Sequence, residues 1–404
     1  MTSTLGVLLA LPGSVLAGFG LYLLTLAIAS SFRPREATGG EPDPRTRLAV
    51  LVPAHDEEHG IEATLASLAR LVYPSACFRT VVIADNCSDR TAATAAAAGA
   101  LVIVRDDPAR RGKGYALAWA FHRSLTEGFA DAVVVVDADT VVSRNLLSAF
   151  AARFDAGADV LQAEYGVRNP LASWRTRLMT IALAAFHGVR SLARERLRLS
   201  CGLRGNGMGF SKAILRAVTP SAFSIVEDLE YGLQLGRAGC RVQYVDEAKV
   251  LGQMVVTERA SQSQRQRWES GRRTIVRLQG LPLLGEALRR RDLLLFDLLV
   301  DLLVPPLGEL VAFTAAGAAL CVFVGAVHGG VAPWIWGASL AGVLLYVLRG
   351  WALSGVGLQG LLDLLWAPVY VIWKLTLRLR HRGQHPKDWV RTTREVSTTR
   401  EVRM

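Results

Sequence analysis

With 404 residues, 51% of them hydrophobic, and a mean hydropathy of +0.28, the chain is too long for one ordinary domain and too apolar for an ordinary soluble one. Its formal net charge of +11 comes without a compact basic cluster interleaved with aromatics, which argues against nucleic acid as a partner. The five cysteines, Cys77, Cys87, Cys201, Cys240 and Cys321, have neither metal-ligand nor redox spacing; a reduced compartment without a disulfide framework fits them best.

Residues 5–30 form an apolar run without a charged side chain, long enough to cross the roughly 30 Å hydrocarbon core as a helix. A cleaved signal peptide is the competing reading, with Ser14-Val15-Leu16-Ala17 imitating its cleavage site. Signal peptides carry a positive N-terminal region, however, and residues 1–10 hold no Lys or Arg; Arg33 and Arg35 follow the run instead. The expectation is an uncleaved anchor with its N-terminus outside and the next domain in the cytoplasm.

From residue 48, short apolar strands alternate with helical patterns. Strands are expected at 48–53, 79–84, 101–105, 132–136 and 159–164, with helices near 59–71, 89–99, 112–125 and 145–155. Such alternation implies an α/β domain whose parallel sheet is covered on both faces. Ligands of such sheets bind beyond the carboxyl ends of the strands. Three of those ends are acidic: Pro53-Ala54-His55-Asp56-Glu57-Glu58, Asp85-Asn86-Cys87-Ser88-Asp89 and Asp137-Ala138-Asp139. One alone would be a helix cap, the default for Asp89. Three on one edge repel one another unless a cation or hydrogen-bond donors compensate, and a divalent metal bridging to a diphosphate is a natural compensation. Alternation along the strand end puts Asp137 and Asp139 on one side.

Lys113 lies in the glycine-flanked turn Arg111-Gly112-Lys113-Gly114, which exposes backbone N–H groups and adds a charge for a phosphate or base; a simple helix start reads equally well. Residues 171–198 read as one amphipathic helix on the membrane side. Residues 202–209 are glycine-rich but lack the position and spacing of a dinucleotide loop. Glu227-Asp228 suits the first turn of a helix. Gln264, Arg267 and Trp268 fall at i, i+3 and i+4, so one helix face offers an amide, a guanidinium and an indole. An interfacial Trp with a snorkelling Arg is the alternative. The histidines are scattered and receive no catalytic role.

Residues 293–326 are apolar but interrupted by Asp297, Asp301, Pro305-Pro306 and Glu309. That predicts a broken or amphipathic first part, then a span near 307–326, with a further span near 332–349. The stretch 356–377 carries Asp363, Pro368 and Lys374 and runs into Arg378-Leu379-Arg380-His381-Arg382. With that basic tail cytoplasmic, the stretch lies in the interface rather than crossing. Three spans are expected in all, four being the alternative.

These motifs, in this order, resemble the family 2 glycosyltransferases, which have the GT-A nucleotide-sugar fold. The likeness is greatest to the membrane-integrated branch that includes cellulose, chitin, hyaluronan and poly-N-acetylglucosamine synthases. It covers roughly residues 45–280 and rests on Val52-Pro53-Ala54-His55-Asp56-Glu57, Asp85-Asn86-Cys87-Ser88-Asp89, Arg111-Gly112-Lys113-Gly114, Asp137-Ala138-Asp139, Glu227-Asp228 and Gln264-Arg265-Gln266-Arg267-Trp268. The resemblance implies a mostly parallel GT-A sheet at 45–280, a transmembrane anchor at 1–35, interfacial and transmembrane helices at 281–377, and a basic cytoplasmic tail at 378–404. It implies that Asp139 holds Mg2+ or Mn2+ and that Asp137 contacts the nucleotide or the metal. Pro53, Ala54, Glu57 and Asp85 would surround the base and ribose, and Lys113 would serve a phosphate or base. Asp228 would be the general base, Gln264 and Arg267 would lie near the diphosphate, and Trp268 at the acceptor site, beside residues 202–209. Val226 stands where many relatives carry Thr. Trp389-Val390-Arg391-Thr392-Thr393-Arg394 resembles a gating tail, and a disordered basic tail reads equally well.

The implied function is an inverting transferase in a bacterial inner membrane, its catalytic domain cytoplasmic. It would move a sugar from a nucleotide sugar, UDP-glucose or UDP-N-acetylglucosamine, to a growing polysaccharide. The rival is a single addition to a lipid-linked acceptor. Three spans do not assure a complete translocation channel, so an oligomer or an export partner would complete the path. A non-catalytic membrane scaffold ranks last, because Asp137, Asp139 and Asp228 are all present.

Overall fold

The computed structural model describes residues 4–32, 46–254, 258–328 and 331–369, with side chains given outside 4–9, 258–267 and 324–328. Strand β1 (Leu48–Ala54) shows why the sheet is apolar at every position. Leu48, Val50, Val52 and Ala54 enter one hydrophobic cluster, while Ala49 and Leu51 enter the cluster on the other face. A sheet covered on both sides demands this of its central strands.

Helix α1 (Thr4–Ala29) precedes β1. There follow α2 (Ile61–Leu68), β2 (Phe78–Asp85), α3 (Thr91–Ala97), β3 (Leu101–Arg105), α4 (Lys113–Glu127), β4 (Ala132–Val135), β5 (Thr140–Val142), α5 (Leu146–Asp155) and β6 (Val160–Val167). Next come α6 (Trp174–Leu183), α7 (Arg190–Arg196), β7 (Met208–Ser211), α8 (Lys212–Ala217), α9 (Glu227–Arg237) and β8 (Val242–Gly252). The chain then becomes helical: α10 (Glu258–Arg290), α11 (Leu293–Leu303), α12 (Leu307–His328), α13 (Ala332–Ser354) and α14 (Gly357–Asp363).

Among the described residues the strands form one sheet in the order β3-β2-β1-β4-β7-β6-β8-β5. The half β3-β2-β1-β4 is parallel throughout. In the other half β6 and β8 are parallel, β7 runs antiparallel to β4 and β6, and β5 antiparallel to β8. This is the α/β, mostly parallel GT-A-like architecture expected, and the five expected strands all form. Strands β5, β7 and β8 are additional to them. In register, Ala54 of β1 faces Ala84 of β2, and Leu51 faces Val135 of β4, so the three acidic termini open on one edge.

The stretch expected as one helix at 171–198 instead carries a π-helical turn, Ala184–Val189, between α6 and α7. Tyr346 of α13 donates its hydroxyl to Ala185 O at 2.5 Å, and Gly350 packs on Ala185. A widened turn satisfies such an intruding partner without ending the helix. The segment packs against α1 and α13, between the sheet domain and the apolar helices.

Among the described residues two helices are long and apolar enough to cross a bilayer, Ala10–Ala29 of α1 and Ala332–Ser354 of α13; the third expected span coincides with α12, whose apolar stretch is Leu307–Phe323. Small residues let α1 and α13 touch: a Cβ on Gly20 would lie 3.0 Å from Ser339 O, and one on Gly342 would lie 2.9 Å from Gly20 O. The break expected at Pro305-Pro306 separates α11 from α12. Asp363 is buried and paired with Arg177 of α6 at the end of α14. Residues 370–377, the basic tail and the 389–394 motif lie outside the described residues.

Candidate active site

A cavity of about 580 Å³ opens at the acidic sheet edge. Its lining brings together Pro53, Ala54, Glu57, Asp85, Lys113, Asp137, Asp139, Asp228 and Trp268, all expected site residues. Gln264 and Arg267 belong to the backbone of α10, and their side chains lie outside the described residues.

At the β1 and β2 ends, His55 Nδ1 lies 2.7 Å from Asp85 O. Buried Asp85 pairs with Arg105 of β3 at 2.5 Å and accepts a further bond from Asn86 Nδ2 at 3.0 Å, both on Oδ1. Arg105 was not singled out in the sequence, where it appears only as the last residue of a strand. Sheet register puts it opposite Asp85.

Between Asp137 and Asp139, Ala138 is buried in the core while both carboxylates border the cavity. Buried Asn206 fixes this turn: its Oδ1 accepts from Asp137 N at 3.1 Å and its Nδ2 donates to Thr140 Oγ1 at 2.7 Å. Nothing local in the sequence marks Asn206, because its partners lie 69 and 66 residues away.

Lys113 is the electrostatic centre of the edge. Its Nζ donates to Asp137 Oδ1 and to Gly205 O, both at 2.5 Å, and lies 3.9 Å from Glu227. Burial works against its charge, but Asp137 and Glu227 outweigh burial and hold its affinity for a proton above the ordinary lysine value. The flanking glycines have distinct reasons. Gly112 has φ 127°, a conformation that side chains resist. A Cβ on Gly114 would lie 2.3 Å from Ala222 O, so the start of α4 and the segment before α9 meet only through glycine.

Glu227 and Asp228 open α9, as expected of first-turn carboxylates. Burial pushes Glu227 up to about 7, with Lys113 offsetting part of the effect. Burial also raises Asp228, against the Leu229 backbone N–H and the charge of Lys113. Gly205, with φ +80°, abuts the Asp228 carboxyl; a Cβ there would lie 3.3 Å from Oδ2.

The far wall comes from α10, α11, the π-helical turn and residues 202–205, including Phe186, His187, Arg204, Arg272, Leu298, Asp301, Leu302 and Pro306. Behind it, Arg194 pairs with Asp297 and, at 2.8 Å, with Asp301, while Arg190 reaches Asp301 at 3.2 Å. Burial works to raise Asp301, but Arg194, Arg190, Arg204 and Arg272 outweigh it and hold that carboxyl well below the usual range. Asp297 and Asp301, read as interruptions of an apolar stretch, are counter-ions of buried arginines.

A second acidic group gathers Asp56, Cys87 and Asp89 with ligand-type atoms within 4.8 Å of one another, but these residues do not line the cavity. Asp56 Oδ1 accepts the Ser88 and Asp89 N–H groups at 2.6 and 3.2 Å, and Asp89 Oδ1 accepts from Thr91 N at 2.8 Å. The group closes the turn after β2; Asp89 was read by default as a helix cap, but the N-cap residue of α3 is Arg90, without a side-chain cap bond, and Asp89 meets only the first N–H of the helix.

The model of the family described as "Glycosyltransferase like family 2" matches residues 44–271, more than half of the chain. A Bacillus subtilis (strain 168) protein, "Probable glycosyltransferase YdaM", is 24% identical over 262 residues, 62% of this chain and 60% of its own length. "Uncharacterized glycosyltransferase Rv0539" of Mycobacterium tuberculosis (strain ATCC 25618 / H37Rv) is 27% identical over 205 residues, 47% of this chain and 87% of its own. The chain thus spans less than two thirds of the Bacillus relative. Among solved structures, a Pyrobaculum calidifontis mannosyltransferase, PcManGT, in complex with GDP-Man and Mn2+, is similar in fold: TM-score 0.55, 18% identity, 85% of this chain and 97% of that one.

Proposed function

The chain belongs to glycosyltransferase-like family 2, and from that premise we propose that it is an inverting, nucleotide-sugar-dependent transferase with its reaction centre in the cavity at the sheet edge. The observation that carries this reading is the convergence on one cavity of the strand-end carboxylates, the Glu227-Asp228 pair and Trp268.

In the proposed arrangement the base and ribose lie against Pro53, Ala54, Glu57 and Asp85. Arg105 and Asn86 both bind Asp85 Oδ1, which fixes the carboxylate and leaves Oδ2 for the ligand. Asp137 and Asp139 are two oxygen donors on one cavity wall, a set that suits a hard divalent cation. Mg2+ or Mn2+ there would neutralise charge on the departing nucleoside diphosphate. Lys113 balances the same carboxylates from within the protein, and Gln264 and Arg267 are assigned to the diphosphate. Asp228 takes the proton of the acceptor hydroxyl, and its proton affinity, raised by burial, suits a general base. Trp268 offers the acceptor sugar a stacking face. Of the donors, UDP-glucose and UDP-N-acetylglucosamine are favoured, and a GDP-sugar enters the test because PcManGT binds GDP-Man.

The same reading anchors the chain in a bacterial inner membrane through α1, α12 and α13, with the N-terminus outside and the sheet domain cytoplasmic. A growing polysaccharide is the leading acceptor. A single addition to a lipid-linked acceptor is favoured by one feature, that Leu298, Leu302 and Pro306 at the approach to α12 line the cavity itself.

The test follows nucleoside diphosphate release by the full chain in nanodiscs against a panel of UDP- and GDP-sugars, with Mg2+ or Mn2+ and with EDTA. We expect release from one donor, lost in EDTA and reduced at least about 100-fold by Asp228→Asn. Product size then separates elongation from single addition. Release that is insensitive to both EDTA and Asp228→Asn would defeat the proposal.

A further inference from the structure

The far wall of the cavity holds positive charge that sugar transfer, as assigned above, does not use. Arg204 and Arg272 both line it, and their Cζ atoms lie 4.3 and 5.8 Å from the centroid of the Phe186 ring they flank. Neither forms an ion pair among the described residues. The nearby carboxylates of Asp297 and Asp301 are taken by Arg190 and Arg194. Arg204 donates to Cys201 O at 2.8 Å, and Arg272 Nη2 donates to the carbonyls of Asp301, Leu302 and Val304 at 2.6, 3.1 and 3.1 Å. Carbonyl oxygens position a guanidinium but do not neutralise it.

Two polar atoms on this wall are buried with no hydrogen-bond partner among the described residues, Arg204 Nε and Nδ1 of His187, a residue only 8% exposed. Leaving such groups unpaired is costly, and the cost is relieved when a ligand supplies the missing acceptor. Burial opposes charge here, lowering Arg204 and pushing Arg272 down to about 10. An anion would restore both. The position is also informative: Arg204 is adjacent to Gly205, which abuts the Asp228 carboxyl. The wall is built from α10, α11 and the 202–205 loop, not from the strand ends that carry Glu57, Asp85, Asp137 and Asp139.

We propose that Arg204 and Arg272 form an acceptor-side phosphate subsite, so that the acceptor of this transferase is a phosphorylated molecule. Guanidinium forks match the several oxygens of a phosphate better than any single-point cation would. Leu298, Leu302 and Pro306 on the same wall suit an apolar group attached to that phosphate. The inference rests on the glycosyltransferase reading for the word acceptor, but the subsite can be tested by binding alone.

The experiment is calorimetric titration of the full chain in phosphatidylcholine nanodiscs with hexyl phosphate, inorganic phosphate and hexanol, and separately with UDP or GDP plus Mn2+. We expect hexyl phosphate to bind, hexanol not to, and Arg204→Gln/Arg272→Gln to weaken hexyl phosphate at least about tenfold. Should the double variant fail to fold, Arg204→Gln alone gives the same reading with a smaller loss. Hexyl phosphate binding more tightly than inorganic phosphate assigns the subsite to a lipid phosphate; equal binding assigns it to a soluble phosphorylated acceptor. Hexanol binding as well as hexyl phosphate would overturn the proposal, as would undiminished binding in the arginine variants. Competitive displacement of hexyl phosphate by UDP or GDP would place the arginines on the donor and overturn it too. Absence of any nucleoside diphosphate binding in the wild type would instead count against the glycosyltransferase reading.

Discussion

Lys113 ties together three segments far apart in the chain, donating to the Asp137 carboxylate and the Gly205 carbonyl and lying close to Glu227. Removing it by Lys113→Met leaves two carboxylates facing each other without their cation. We expect a loss of about 1–3 kcal/mol of stability, read by thermal denaturation, because charged hydrogen-bonded partners are left behind. The Glu227 and Asp228 carboxyls, both raised by burial, set the pH behaviour. A general base works only when deprotonated, and burial raises Asp228, so kcat/KM should fall on the acid side at a pH above the ordinary carboxylate range. Glu227→Gln should move that acid limb lower, since it removes the carboxylate charge that interacts with Asp228; an unmoved limb would show that Glu227 does not set the titration of the base. The sequence marked Lys113, Asp137 and Asp228 as separate motifs. Their convergence, and the roles of Arg105 and Asn206, were not legible, because each depends on a partner brought by sheet register or by a loop tens of residues away.

At the scale of elements, the parallel half of the sheet was readable because β1 and β4 are apolar at every position and so can only lie between two covered faces. The other half was not. Strand β7 is only Met208–Ser211 and contains a glycine, while β8 carries Asp246, Glu247 and Lys249 and pairs with β6 through a register shift. Neither pattern announces a strand; neighbours supply the missing determinant. The π-helical turn between α6 and α7 depends likewise on the Tyr346 hydroxyl from another helix. A glycine contact gives the sharpest check at this scale. Gly114→Val would drive a branched side chain into Ala222 O, and we expect about 1–3 kcal/mol of destabilisation together with weakened nucleotide binding, because the start of α4 carries Lys113. Unchanged stability and binding would show that α4 and the 222–227 segment do not meet as described.

For the molecule as a whole, the joint between the sheet domain and the apolar helices combines apolar packing with buried ion pairs. Arg194 of α7, fully buried, pairs with Asp297 and Asp301 of α11. Arg194→Ala strands the Asp297 carboxylate and leaves Asp301 to Arg190 alone, and should cost about 3–5 kcal/mol, whereas Arg194→Met with Asp297→Leu should recover much of it, since buried ion pairs are often replaceable by apolar packing. Detergent-solubilised thermal shifts would decide between these outcomes. The proposed orientation makes a separate prediction. In a cysteine-free background, Thr2→Cys should react with a membrane-impermeant maleimide on intact cells, and Ser148→Cys only after lysis; the opposite pattern would invert the topology.

The sequence by itself determined the class of fold, the apolar helices and most of the cavity's carboxylates, because hydrophobic period and local motif are properties of neighbouring residues. Tertiary structure alone decided which charges compensate one another. Asp297 and Asp301 turned from flaws in an apolar stretch into counter-ions, and Arg204 and Arg272 were left facing the cavity with no ion pair of their own among the described residues. Electrostatic pairing acts over a few ångströms of space and is indifferent to separation along the chain, so no local pattern can record it.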